Sequence, residues 1–314
     1  MNKVSCRKAF TKTLEQCAQS NDAVMLICTD SRGSVTAADF FNLFPNQAIE
    51  AGIAEQNAIG IAAGLATTNK TVFVAGPACF LAARGYEHIK VDVAYNQTNV
   101  KIIGVSGGVS YGPLGGTHTT LHDVASMRAL PNIEVFIPSD AVQTQFLTQY
   151  LVQSNKPAYL RTGRGDVASI YNSETSFTPH QAKIVSDGQD ATIIACGEMV
   201  YPALEAAKLL KKENLSIRVL DMFCLKPIDT ESILRAAKET RAILTIEEHS
   251  IHGGLGEMVC AVTAQHHPTK IKVLGFPDEE YKVGSSGALF EYYGFTPEHI
   301  AQSMRNLLMT GCDA

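Results

Sequence analysis

Val24-Met25-Leu26-Ile27-Cys28, followed by Thr29-Asp30-Ser31-Arg32-Gly33-Ser34, is the stretch on which the fold turns. Five consecutive apolar residues without polar alternation suit a strand buried on both faces, and the polar run after them reads as a loop at its carboxyl end. The same figure recurs along the chain. Val72-Phe73-Val74-Ala75, Val100-Lys101-Ile102-Ile103-Gly104-Val105 and Ile133-Glu134-Val135-Phe136-Ile137 are strand candidates that each run into Gly, Pro, Ser or Asp. The small, apolar stretch 54–66 reads as a helix packed closely on a sheet. Strands alternating with helices give an α/β fold of stacked β-α-β units around a mainly parallel sheet. Ligands of such sheets sit beyond the carboxyl ends of the strands, so the loops there are where chemistry belongs.

The rhythm breaks between Arg164 and Gly188, where Gly163-Arg164-Gly165-Asp166 gives way to the aperiodic Asn172-Ser173-Glu174-Thr175-Ser176 and then Pro179. This texture predicts a first domain over residues 1–166, a linker over 167–187 and a second, smaller α/β domain over 188–314. In the second domain Ala191–Gly197, Ile217–Asp221, Ala242–Ile246 and Ile271–Leu274 read as strands, with a helix over roughly Tyr201–Glu213.

Composition limits what such a chain can do. Its 314 residues carry 26 Lys and Arg against 31 Asp and Glu, a net charge of −5, with 46% hydrophobic and 18% charged residues. That balance excludes a basic nucleic-acid binder and a disordered tail. There is no run of about 18 uncharged apolar residues and no apolar stretch at the N-terminus long enough for a signal peptide, so no membrane association and a cytoplasmic location are expected. The 8 cysteines (Cys6, Cys17, Cys28, Cys79, Cys196, Cys224, Cys260 and Cys312) are far apart, form no C-x-x-C and read as reduced, mostly buried thiols.

Three segments carry candidate chemistry. In Gly52-Ile53-Ala54-Glu55-Gln56-Asn57-Ala58 a carboxylate opens an apolar helix. It is either an ordinary first-turn acid favoured by the helix dipole or a buried carboxyl able to exchange a proton with a heterocycle. Gly112-Pro113-Leu114-Gly115-Gly116-Thr117-His118-Thr119-Thr120 is a glycine-rich loop edged by a histidine. Such loops often serve only as turns, yet bare backbone also admits a ligand, and His118 can donate a hydrogen bond near neutral pH. Tyr159-Leu160-Arg161-Thr162-Gly163-Arg164-Gly165 sets two arginines after a short β-like stretch, either as solvated charge or as anion ligands whose planar forks match phosphate.

In this order the segments resemble the C-terminal half of transketolase over nearly the whole chain. The likeness runs through Arg7-Lys8-Ala9-Phe10, Asp30, the G-I-A-E-Q of residues 52–56, and Cys79-Phe80-Leu81-Ala82-Ala83-Arg84. It continues with Gly116 to His118, the L-P-N-I-E-V-F-I-P-S-D of residues 130–140, and Leu225-Lys226-Pro227-Ile228-Asp229. No single motif decides the matter; the ordered set does. The resemblance implies two three-layer α/β domains, a thiamine-diphosphate pyrimidine-binding domain and a transketolase C-terminal domain. It implies that Glu55 hydrogen-bonds the pyrimidine nitrogen of thiamine diphosphate and so promotes loss of the thiazolium C2 proton. The resemblance further implies that Phe80 stacks on the pyrimidine and that Asp30 and Ile53 lie beside the cofactor. On the same likeness His118 is expected to donate to the substrate oxygen, and Arg7, Ser34 and Arg161 to hold a sugar phosphate. In this family the second domain mainly builds the dimer, so Glu247, Glu248 and His249, placed after a strand, are expected to be structural.

The family resemblance also exposes departures. An acidic residue usual four positions before the loop histidine is Leu114 here, the Gln usual after it is Thr119, and a histidine often found at an earlier strand end is Ser106. Losing a carboxylate that pairs with a hydroxyl alters the sugar that is tolerated, which brings in branched donors such as apulose 4-phosphate. The family's G-D-G metal motif is absent from the sequence. The implied arrangement is a heterotetramer, in which this chain self-associates and a separate N-terminal subunit holds the diphosphate and a divalent metal (Mg). The implied reaction is transfer of a two-carbon ketol unit from a ketose phosphate to an aldose phosphate. A 2-oxo acid dehydrogenase β subunit, a deoxyxylulose-phosphate synthase fragment and a catalytically silent scaffold are the competing readings. The phosphate set leans against the dehydrogenase, and joint retention of Glu55, Phe80 and His118 leans against the scaffold.

Overall fold

The computed structural model describes residues 3–309; the two ends of the chain, with Cys312, lie outside the described residues. Strands in chain order are β1 (Lys3–Val4), β2 (Val24–Cys28), β3 (Ala48–Glu50), β4 (Thr71–Pro77), β5 (Val100–Val105), β6 (Glu134–Phe136) and β7 (Ala158–Arg161). They continue as β8 (Val167–Ala168), β9 (Lys183–Ser186), β10 (Ala191–Ala195), β11 (Ile217–Asp221), β12 (Cys224–Lys226), β13 (Ile243–Ser250) and β14 (Ile271–Phe276). A seven-stranded sheet has the order β12-β6-β7-β5-β4-β2-β3, and a five-stranded sheet the order β14-β13-β10-β11-β9. The first is parallel except for β12 and the second except for β9.

The run that opens the sequence is buried at every position. Val24, Leu26 and Cys28 enter the cluster of Phe10, Leu14, Phe73, Phe136 and Leu160 on one face. Met25 and Ile27 enter the other, with Ile59, Val74, Ile102 and Tyr159. Helices therefore cover both faces, which is why the strand tolerates no polar alternation. The second face also takes in Ile194, Leu220 and Ile243 from the second sheet, so the two sheets share one core cluster.

Two of the family-like motifs end in helix caps. Asp140 closes the 130–140 run, and its carboxylate accepts the Gln143 N–H at 2.9 Å at the start of helix Ala141–Gln153. Asp229 does the same for Ser232 at 2.9 Å, opening helix Thr230–Glu239. Each cap satisfies an amide that the helix leaves unpaired.

Two features were not visible as strands in the sequence. The stretch 167–187 holds β8, which pairs with β1, and β9, which edges the second sheet. β12, beyond the second domain's strand β11, crosses back and pairs antiparallel with β6 of the first sheet. A correction concerns Glu247, Glu248 and His249: they lie inside β13 rather than after a strand, and all three are buried. The cysteines among the described residues are unpaired, with Cys6, Cys28, Cys79, Cys196 and Cys224 buried. Among the described residues no helix is long and apolar enough to cross a membrane.

Candidate active site

β3 lies on one side of β2 and β4 on the other, so the path of the chain through the first sheet reverses at β2. A reversal of this kind opens a crevice beyond the carboxyl ends. A pocket of about 390 Å³ occupies that place. Its walls are Thr29, Asp30, Ser31 and Ser34 after β2, Ile53 and Glu55 after β3, Pro77, Phe80 and Arg84 at and after the end of β4, and Tyr111, Leu114 and His118 after β5. Four strand ends thus bring together Asp30, Ser34, Ile53, Glu55, Phe80 and His118, residues separated by up to 88 positions in the chain.

Local backbone geometry aims these groups. Asp30 has φ 54° and Gly52 φ 71°, both left-handed. For Asp30 this conformation is costly and persists only because its surroundings hold it. The hold is Glu50, whose carboxylate accepts the Asp30 N–H at 2.7 Å, the Gly52 N–H at 3.2 Å and Arg32 Nε at 2.7 Å. Burial would raise the Glu50 pKa, but these amides and Arg32 outweigh it and hold the carboxyl below its usual range. Glu50 therefore fixes two walls of the pocket at once, and nothing in the sequence signalled it.

Glu55 is 2% exposed at the first turn of helix Glu55–Ala66. Its partner is Arg84, whose Nη1 lies 3.4 Å from both carboxylate oxygens. The same guanidinium lies 4.4 Å from the Phe80 ring centroid. A flat, delocalised cation touching an aromatic face and a buried carboxylate reproduces the two contacts an aminopyrimidine would make, stacking on Phe80 and a hydrogen bond from its edge to Glu55. The Arg84 side chain is 48% exposed and free to yield that place. His118 packs edge-on against Phe80 at 5.1 Å and against Tyr111 at 5.8 Å, with Nδ1 2.9 Å from the Thr117 hydroxyl. The pocket fits the pyrimidine end of thiamine diphosphate. Among the described residues no group of three His, Cys, Asp or Glu could hold a metal ion.

The phosphate set divides. Ser34 and Arg7 adjoin the pocket: Arg7 Nη1 donates to the Ser34 carbonyl at 2.6 Å and Nε to the Arg164 carbonyl at 3.2 Å. Arg161 does not belong with them. It ends β7, is 4% exposed, and lies 3.5 Å from Asp123 and 3.7 Å from Glu248, with Nη2 donating to the Glu248 carbonyl at 2.7 Å. Burial alone would lower its pKa, but Asp123 and Glu248 outweigh this and hold it protonated, so Arg161 is a buried counter-ion without a free face for a substrate. Around it burial pushes Glu198 and Glu248 well above the usual carboxylate range, and Glu248 adds to the rise at Glu198.

The arginine that touches a wall of the pocket, through Tyr111, is Arg164, three residues on. Its Nη1 donates to the Tyr111 hydroxyl at 2.8 Å and its guanidinium lies 4.8 Å from the Tyr111 ring centroid. Tyr111 in turn donates to Ser34 Oγ at 3.0 Å. Burial and the charge of Arg164 both lower the Arg7 pKa, with Tyr111 and Asp166 opposing. Like Glu50, Tyr111 and Arg84 were given no role by the sequence, although Arg84 stood inside a family-like segment; Arg164 was offered there as a possible anion ligand but left out of the phosphate set. Of the three departures, Leu114 is 56% exposed at the rim. Thr119 instead turns its hydroxyl into its own loop, donating to the Gly115 carbonyl at 3.0 Å. Ser106 is buried at the end of β5 with φ 57° and its hydroxyl unpartnered.

Comparisons with known proteins identify the family to which this fold belongs. The family description "Transketolase, pyrimidine binding domain" matches residues 2–169 and "Transketolase, C-terminal domain" matches residues 180–300. A subunit of the apulose-4-phosphate transketolase of Phocaeicola vulgatus is 47% identical over 303 residues, covering 96% of this chain and 97% of that protein. Human transketolase is 34% identical over 310 residues, covering 98% of this chain but 49% of the human protein. A solved structure described as a split gene transketolase, inactive beta4 tetramer, superposes with a TM-score of 0.89 at 36% identity, covering 98% of this chain and 99% of that one. The chain belongs to the transketolase family and corresponds to its pyrimidine-binding and C-terminal domains.

Proposed function

We propose that this chain is the C-terminal subunit of a split transketolase that moves a two-carbon ketol unit from a ketose phosphate to an aldose phosphate. The observation that carries the reading is the convergence of Glu55, Phe80 and His118 in one pocket at the carboxyl ends of β3, β4 and β5. Thiamine diphosphate, when bound, supplies the nucleophile and electron sink for carbon–carbon cleavage. Glu55, buried at the first turn of its helix, would hold the edge of the pyrimidine and exchange a proton with it. Phe80 sets the plane of that ring. His118 donates to the substrate oxygen on which negative charge develops. Arg7, Ser34 and Arg164, joined through Tyr111, take the sugar phosphate.

The diphosphate and its divalent cation belong to an N-terminal partner subunit, since this pocket offers no oxygen-rich cage for Mg²⁺. That a related structure is described as an inactive beta4 tetramer supports both self-association and dependence on a partner. A second reading concerns the sugar. Leu114, apolar and exposed at the rim, favours a branched donor over the ordinary pentose phosphate, in keeping with the name of the Phocaeicola relative. The test is reconstitution with a partner carrying G-D-G, with xylulose 5-phosphate and apulose 4-phosphate each offered alongside an aldose phosphate. Ketol transfer only in the two-subunit complex supports the reading. Micromolar thiamine diphosphate binding by this chain alone would overturn the split site.

A further inference from the structure

The loop between β5 and Thr120 carries Tyr111, Leu114 and His118 into the pocket, and part of what holds it comes from the other domain. Its base is closed by Gly108, whose N–H donates to the Thr120 carbonyl at 3.1 Å and whose carbonyl accepts the Thr120 N–H at 2.8 Å. Above the base, the Val109 N–H donates to Glu248 Oε1 at 2.8 Å and the Val109 carbonyl accepts Ser286 Oγ at 3.0 Å. The Gly112 carbonyl accepts the Gly284 N–H at 3.3 Å, and the Leu121 carbonyl accepts the Ser250 N–H at 3.0 Å. The two glycines at the root leave no gap: a Cβ on Gly107 would stand 2.2 Å from Arg161 Nε, and one on Gly108 2.1 Å from the Glu248 carboxyl carbon. The backbone of Val109 is thus gripped on both sides by side chains more than 130 residues away.

We propose that Glu248 and Ser286 are positioning residues that clamp Val109 and thereby fix the loop bearing Tyr111 and His118. A loop left to itself samples many conformations, and ordering it costs roughly 1–2 kcal/mol per residue in backbone entropy. Two hydrogen bonds on one buried residue convert the second domain's position into the placement of His118. The catalytic consequence rests on the transketolase reading; the clamp itself does not.

The test is hydrogen exchange on the full chain, followed by mass spectrometry of the segment 109–118. Glu248→Ala and Ser286→Ala should each raise exchange in that segment about tenfold or more, while Glu248→Gln, which keeps an acceptor oxygen for Val109, should stay within about threefold of wild type. In the reconstituted complex, kcat should fall about tenfold in Glu248→Ala and recover in Glu248→Gln. Ser286→Ala keeps the test decisive if Glu248→Ala fails to fold. Unchanged exchange in Ser286→Ala, equal loss in Gln and Ala variants, or acceleration spread evenly over the whole chain would each overturn the clamp. If the wild-type complex transfers no ketol unit, the functional reading falls while the exchange data still judge the clamp.

Discussion

Replacing Arg164 and Arg161 separately distinguishes a substrate ligand from a buried counter-ion. Arg164 backs the pocket wall formed by Tyr111, and its Nη1 reaches the Tyr111 hydroxyl at 2.8 Å beside Ser34 and Arg7. A charge-assisted hydrogen bond contributes about 1.5–3 kcal/mol. With tenfold per 1.4 kcal/mol, Arg164→Ala should raise KM for a ketose phosphate about 10–150-fold, towards the lower end because solvent reaches the site. The corresponding unphosphorylated ketose has nothing to lose, so its kcat/KM should stay unchanged, and kcat with the phosphate sugar should hold because the interaction is equally present before and during the reaction. Arg164→Lys should recover part of the loss, keeping charge without the fork. Arg161→Ala strips the neutralising charge from Asp123 and Glu248 and should instead cost about 3–5 kcal/mol of folding stability. Steady-state kinetics of the reconstituted complex and urea unfolding of the chain give the two readouts. An Arg164→Ala enzyme with KM within about twofold of wild type, or an Arg161→Ala chain of normal stability, would refute the reasoning.

Further outcomes follow from the same geometry. Glu55→Gln should lower kcat of the complex by roughly 10²–10⁴-fold without unfolding the chain, because the half-exposed Arg84 is its single ion-pair partner among the described residues; circular dichroism alongside turnover checks both halves. Gly163→Ala places a Cβ 1.7 Å from Glu198 Oε1 and should lower stability by about 1–3 kcal/mol, read as a drop in the thermal midpoint. The folded chain holds the Glu198 carboxyl at about 8, raised from 4.5 by burial and by Glu248, with Arg161 opposing. Its contribution is therefore complete below the unfolded value and fades as pH rises through about 8. Urea resistance of the wild type should decline over that range, and Glu198→Gln should flatten the decline.

How much could be read from the chain follows from how local each signal is. β2 announces itself because both of its faces are covered, and the Glu55 helix does so through its small residues and the carboxylate at its head. The pocket residues were legible because most of them sit just past a strand that could be recognised. Arg161 misled because a guanidinium after a β-like run looks the same whether it closes a strand inside the core or opens a loop. Only burial separates it from Arg164, three positions on. Glu50 gave no sign because much of its work is done on backbone amides 2 and 20 residues away. The grip of Glu248 on Val109 spans 139 residues and involves no paired motif. β12 is three residues long and β8 two, too short for periodicity to register.

β12 has a bearing on how this protein comes into being. β6 is the outermost parallel strand on the side of the first sheet away from β3, and its outer side is sealed by Cys224–Lys226. During synthesis that seal emerges from the ribosome only after β10 and β11 of the second domain, so the β6 rim of the first sheet waits open. An open rim is a template for pairing with other chains. Cutting the chain at the interdomain stretch would thus leave neither half intact: the leading piece would keep its bare rim, and the trailing piece would carry a strand with no sheet to join.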